Sequence, residues 1–353
     1  MAREAAPHAG GGFRPVHHPA GLDDALRIAV EEVWAGRWMA MRDLLAQTGP
    51  DWSLRTARTQ VLGAVAAGST IVEAWAAEEG HSVDARVMWA RVMVQRAQRA
   101  HRQGHPDTPH LEHQAREACR LAVEAAPGDP VPWICLLTLA SLDERQERPE
   151  HQLQPWEIML PPGPWGLLSR IWERDQCNRE AFHRMLQFFQ ACTAGAAASV
   201  SAVDFARWVA SWAPAGSALL ALPLFAYAEL HRRQAADPRT QARSDALLRS
   251  QWSVDPIRTE TLRAYQGWFA TLGPAGPSVL SVADLSHLAF ALWSARQYAE
   301  AAEVFAAMGP HTAVQPWASF TEDSGRPDLA TEEFLRARRH CLGSLEGSPG
   351  RAG

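Results

Sequence analysis

The chain has 353 residues and a formal net charge of -5, room for two average domains or one elongated repeat array and no global attraction to nucleic acid or anionic lipid. With 47% hydrophobic and 21% charged residues it has the composition of a folded protein rather than a disordered one. There is no lysine, so a P-loop lysine, a kinase-type phosphate lysine, a pyridoxal-phosphate Schiff base and an S-x-x-K nucleophile are all excluded. Arginine carries every strong positive charge, and GC-rich coding is the plain cause.

Residues 1–20 and 343–353 have loop composition without periodicity and are expected to be disordered tails. The start has no apolar core of a secretory signal, and no window approaches 18 uncharged apolar residues. The five cysteines, Cys119, Cys135, Cys177, Cys192 and Cys341, are scattered without a C-x-x-C pair and read as reduced thiols. Together these point to a cytoplasmic protein with no membrane partner.

Residues 21–342 read as one helical domain. From Asp84 to about Gly104, Trp89, Ala90, Met93, Val94, Ala97 and Ala100 fall on one side at 100° per residue. Arg91, Gln95, Arg96, Arg99 and Arg102 fall on the other. Helix starts recur at Pro127–Trp133, Asp175–Glu180, Pro214–Ser217 and Asp255-Pro256. From Pro127 to Gln176, Pro214 and Pro256 the intervals are 49, 38 and 42 residues. Periods of this size suit helix-pair repeats, in which no single pair buries its apolar face alone. The segment 144–164, with Pro149, Pro155, Pro161 and Pro162 before Pro164, interrupts the helices. Its apolar Trp156, Ile158, Met159 and Leu160 suggest that it packs across the array, with a lid as the alternative.

Two segments resemble tetratricopeptide repeats. In 285–309, Leu285, Leu288 and Ala289 match the first helix, Tyr298 the turn, and Ala301, Phe305 and Met308 the second helix. In 115–136, Ala115, Ala122 and Pro127 hold the expected spacing and Trp133 and Leu136 begin the next first helix, but Leu137 stands where a small residue belongs. The middle of the chain is also similar to helical proteins of actinobacteria, from which no function carries over. The resemblance implies an all-α, irregular helix-pair α-solenoid with a concave face that binds protein or peptide. It would place Ile134, Thr138, Ser141, Ser286, Phe290 and Trp293 toward the groove.

Candidate chemistry is sparse. His101, His105, His110 and His113 cluster around one junction, and His113 and Glu117 at i,i+4 could share a metal, although no H-E-x-x-H is present. Arg91, Arg96, Arg99 and Arg102 form either a solvated face or a clamp for an acidic or C-terminal carboxylate segment. Asp23-Asp24 and Asn178 are explained as helix-start residues. His183 lacks a nucleophile to serve, Glu180 and Arg184 form an i,i+4 ion pair, and Trp208 and Trp212 sit at core spacing. The expected function is a non-catalytic scaffold with no cofactor and no nucleic-acid partner. The alternative is an enzyme or small-molecule sensor with a pocket near the His101–His113 cluster or the Trp156 loop.

Overall fold

The computed structural model describes residues 13–143, 145, 147–191, 196–236, 250–272, 280–321 and 325–346, with the backbone alone for 196–200 and 344–346. Among these it is all-α, with isolated bridges at Val16–His311 and Leu153–Gly163 and no strand. The helices are α1 (Asp24–Trp34), α2 (Met39–Thr48), α3 (Trp52–Ala66), α4 (Ile71–Glu78), α5 (Val83–Arg102), α6 (Thr108–Ala125), α7 (Val131–Ala140) and α8 (Trp165–Trp172). They continue as α9 (Arg179–Ala191), α10 (Ala196–Trp212), α11 (Leu222–Ala236), α12 (Ile257–Gly267), α13 (Val282–Ser294), α14 (Tyr298–Met308) and α15 (Pro327–Glu346). None is long and apolar enough to cross a membrane.

Side-chain caps set many of the starts. Asp23, Asp51, Ser82, Asn178 and Ser281 accept the backbone N–H groups of Leu26, Leu54, Ala85, Ala181 and Asp284 respectively. Each satisfies one of the donors that a helix start leaves without an internal acceptor.

Apart from α3 and α4, successive helices pack as neighbours, and alternate helices also touch along the row α1–α3–α5–α7–α9. The apolar core follows this order in four clusters, and each draws mainly on elements close in sequence. Helix α5 belongs to two of them: Ala85, Met88 and Val92 pack with α1–α4, whereas Val87, Ala90, Val94 and Ala97 pack with α6 and α7. It is therefore buried around most of its circumference rather than along one stripe. Gly63 of α3 makes its closest approach possible, since a Cβ there would stand 2.8 Å from Cβ of Arg91.

The stretch expected as an N-terminal tail enters the fold from Phe13 onward; residues 1–12 lie outside the described part, as do 347–353 of the expected C-terminal tail. Val16 N–H donates to Pro310 (2.8 Å), Thr312 N–H donates to Val16 (3.1 Å), and Phe13 packs on Phe334. Gly21, at φ +55°, lies so close to Val282 that a Cβ would clash with its methyl at 2.8 Å. The start of the chain is thus stitched to α13, the loop after α14, and α15.

The 144–164 segment also packs against the helices. Its bridge between Leu153 and Gly163 folds it back, Trp156 sits on Trp165, Trp172 and Trp208, and among its described apolar side chains Ile158 and Met159 project into solvent.

Candidate functional site

A depression of about 990 Å³ lies where the first, middle and last parts of the chain meet. Its walls come from residues 17–26, from the first turns of α3, α9 and α13, and from Pro214–Ala218 and Thr312-Ala313. Four α-helix N-termini, those of α1, α3, α9 and α13, therefore border one cleft. Two polar links fix the last three to one another: Asn178 Nδ2 donates to Thr56 Oγ1 of α3 (3.1 Å), and the Arg179 guanidinium forks onto Asp284 of α13.

The convergence has an electrostatic cost that the sequence offsets. Helix N-termini carry partial positive charge, and acidic groups beside them are stabilising. Asp23, Asp51, Asp175, Glu180 and Asp284 all line the cleft near such ends. Three are held by arginine. Asp23 takes Arg58 (2.8 Å), Asp284 takes Arg179, and Glu180 takes Arg91 (2.8 and 2.7 Å) and Arg184 (3.1 and 2.8 Å). Burial would raise the Glu180 pKa, but the Arg91 and Arg184 charges outweigh it and hold the carboxylate ionised.

Two carboxylates differ. Asp51 caps α3 and Asp175 accepts from the Asn178 amide (2.8 Å) and the Cys177 backbone N–H, and neither has an arginine among the described residues. Burial first, and the Asp51 charge in addition, raise the Asp175 pKa above the usual carboxylate range. Beside them, the first-turn amides of Ser53, Glu180 and Ala283 have no backbone acceptor among the described residues. The cleft thus presents both open main-chain donors and carboxylate acceptors.

The expected site residues lie elsewhere. Arg91, placed on the solvated face by the helical wheel, is 2% exposed: α5 is covered on that side too, and its guanidinium spends itself on Glu180, Thr59 and Thr56. Arg96 is tied to the carbonyls of Ala67 (3.0 Å) and Ser69 (2.6 Å) and to Glu73, and covers the Trp89 ring. Only Arg99 and Arg102 are exposed. No four-arginine clamp exists.

The expected groove residues are core residues. Ile134, Thr138, Ser286 and Phe290 are buried, and Ser141 and Trp293 are half-buried. The 3₁₀ turn Trp317–Phe320 covers the α13 face: Trp317 Nε1 donates to Ser286 Oγ (2.8 Å), and Phe290 packs edge-on against Trp317 and tilted on Phe320. Ile134 packs into the cluster built by α8, α9 and α10. Elements that the repeat pattern does not anticipate fill the groove.

His105, His110 and His113 are exposed and His101 half-buried, and no three His, Cys, Asp or Glu side chains converge among the described residues. His113 and Glu117 do share a shallow depression of about 510 Å³ with Trp89, Arg96 and Leu121. His183 lies 3.9 Å from Asp284 and edge-on to Phe225; burial first, then Arg179, pushes its pKa well below the ordinary value. Cys119, Cys135 and Cys341 are buried and Cys177 half-buried, all as free thiols, whereas Cys192 lies outside the described residues.

No family model matches the chain, and no curated protein or solved structure is similar to it. The cleft therefore stands on its own chemistry. Of the caps on α3, α9 and α13, Asn178 reads as a helix-start residue from the sequence alone, whereas Asp51 and Ser281 are not singled out there. Nothing in the sequence brings these starts to one place.

Proposed function

We propose that this chain is a non-catalytic, tetratricopeptide-like α-solenoid that binds a partner peptide in the central cleft, not along the inner helix faces. Stacking of alternate helices supports the repeat reading, and the fit of 285–309 to the helix pair α13–α14 agrees with it. The observation that carries the function is the mixed lining of the cleft. Open amides at Ser53, Glu180 and Ala283 stand beside the carboxylates of Asp51 and Asp175. An extended peptide offers alternating C=O and N–H groups, which need donors and acceptors together. The unpaired carboxylates favour a neutral or basic segment over the acidic one that an arginine face would suit.

A peptide-display selection on the intact protein tests this. Selected peptides should bind the wild type and lose at least tenfold, about 1.4 kcal/mol, against Ala57→Trp, which fills the cleft from the α3 wall with the fold kept by circular dichroism. Peptides that bind the folded, plugged variant undiminished would remove the cleft from the account.

A further inference from the structure

A second site lies outside the cleft, where the Trp156 loop meets α8 and α10. Trp156, Trp172, Trp208 and Trp212 form a closed circuit of edge-on contacts. The centroid separations are 5.5 Å for Trp156–Trp172, 5.4 Å for Trp172–Trp212, 5.5 Å for Trp208–Trp212 and 6.1 Å for Trp156–Trp208. The four indoles line a depression of about 640 Å³ whose remaining walls are Glu157, Ser169 and Glu173. Trp156 is 37% exposed and both glutamates are exposed, so the depression opens to solvent.

Three other tryptophans lie under the chain's own cations: Arg42 over buried Trp38 (5.4 Å), Arg96 over half-buried Trp89 (5.4 Å), and Arg170 and Arg174 over half-buried Trp133 (5.9 and 5.4 Å). Among the described residues no arginine lies over any of the four indoles of this circuit. Glu157 has no ion-pair partner among them either, and Glu173 has only the loose contacts of Arg170 (3.6 Å) and Arg174 (3.5 Å). Four indoles and two carboxylates stand together, and the cations that the fold brings near them, Arg170 and Arg174, touch Glu173 alone.

We infer that this tryptophan circuit is a binding site for the trimethylammonium group of a small molecule. The attraction is that of a cation for indole faces, reinforced by Glu157 and Glu173. Methylation follows from the lining. The one hydroxyl there, Ser169 Oγ, already donates to the Trp165 carbonyl (2.9 Å) and accepts from Trp156 Nε1 (3.2 Å). A bare ammonium or guanidinium could satisfy only the N–H groups it turns toward Glu157 and Glu173, leaving those against the rings without an acceptor, whereas a fully alkylated nitrogen has none to satisfy. The site is independent of the cleft, so either can fail without the other.

Titration of the full chain with choline, followed by calorimetry, tests the assignment. The control is the neutral alcohol in which a quaternary carbon replaces the nitrogen. Choline should bind saturably, and the neutral isostere at least about tenfold more weakly. Trp156→Ala should abolish binding and Glu157→Gln should weaken it severalfold; both positions are exposed, so the fold should persist. Equal binding of the isostere would reduce the site to an apolar depression. No saturable binding of choline, or full binding by Trp156→Ala, would overturn the proposal.

Discussion

Arg91 of α5 and Glu180 of α9 are 89 residues apart in the chain and meet as a buried, two-point ion pair, each side chain 3% exposed. Glu180 also holds Arg184, so two buried guanidinium groups share one carboxylate at the back of the cleft. The pair joins the α1–α5 part of the array to the helix whose N-terminus forms one cleft wall.

That asymmetry gives an order of severity. Glu180→Leu leaves two buried cations without a carboxylate and should cost about 3–5 kcal/mol in urea unfolding. Arg91→Met leaves Glu180 still paired with Arg184 and should cost clearly less. Equal losses, or a neutral Glu180→Leu, would contradict the network as described.

The acid side of the stability profile should depend on His287. Its ring lies flat on Phe225 (3.6 Å between centroids) and donates through Nδ1 to the Ala283 carbonyl (2.8 Å). Burial first, against that hydrogen bond, pushes its pKa down to about 4 from 6.5. The unfolded chain therefore takes up this proton first as pH falls. The contribution is whole above about pH 6.5 and is lost on the way to about pH 4, where a shift of this size is worth about 3 kcal/mol. Buried His183 acts in the same direction. Chemical denaturation at pH 7.5 and 5 should show wild-type stability falling, and His287→Phe, which cannot titrate, should fall less. An identical slope in the variant would place the acid sensitivity elsewhere.

Within the cleft, Asp51→Asn should lower the Asp175 pKa, because the Asp51 charge is one of the two causes that raise it. Asparagine caps a helix about as well as aspartate, so α3 should keep its start. Carbon-detected NMR titration of the Asp175 carboxyl reads the shift. No change would mean that burial alone sets that pKa.

How much of this was legible follows from what local sequence encodes. The spacing on α5 and the caps at Asp23 and Asn178 depend on neighbours within a turn, and the structure shows those helices. Arg91 was assigned to solvent because a helical wheel registers only its own helix. The covering surface comes from α3 and from Glu180, far along the chain. Ser286 and Phe290 were assigned to a groove because the repeat pattern has no counterpart to the turn at Trp317–Phe320 that seals it. The N-terminal strip at Phe13–Gly21 has no periodicity, since its order comes from Pro310, Thr312 and Val282 rather than from itself. The cleft is the sum of such long-range meetings.

Amide-resolved hydrogen exchange, with and without a peptide selected on the intact protein, tests the central claim most directly. The first-turn amides of Ser53, Glu180 and Ala283 have no backbone acceptor among the described residues and should exchange rapidly in the free protein. Bound peptide carbonyls should slow all three together, while the exposed end of α5 at Arg99 and Arg102 stays unchanged. Protection confined to Arg99 and Arg102, or to any surface away from the three helix starts, would contradict a peptide seat in the cleft.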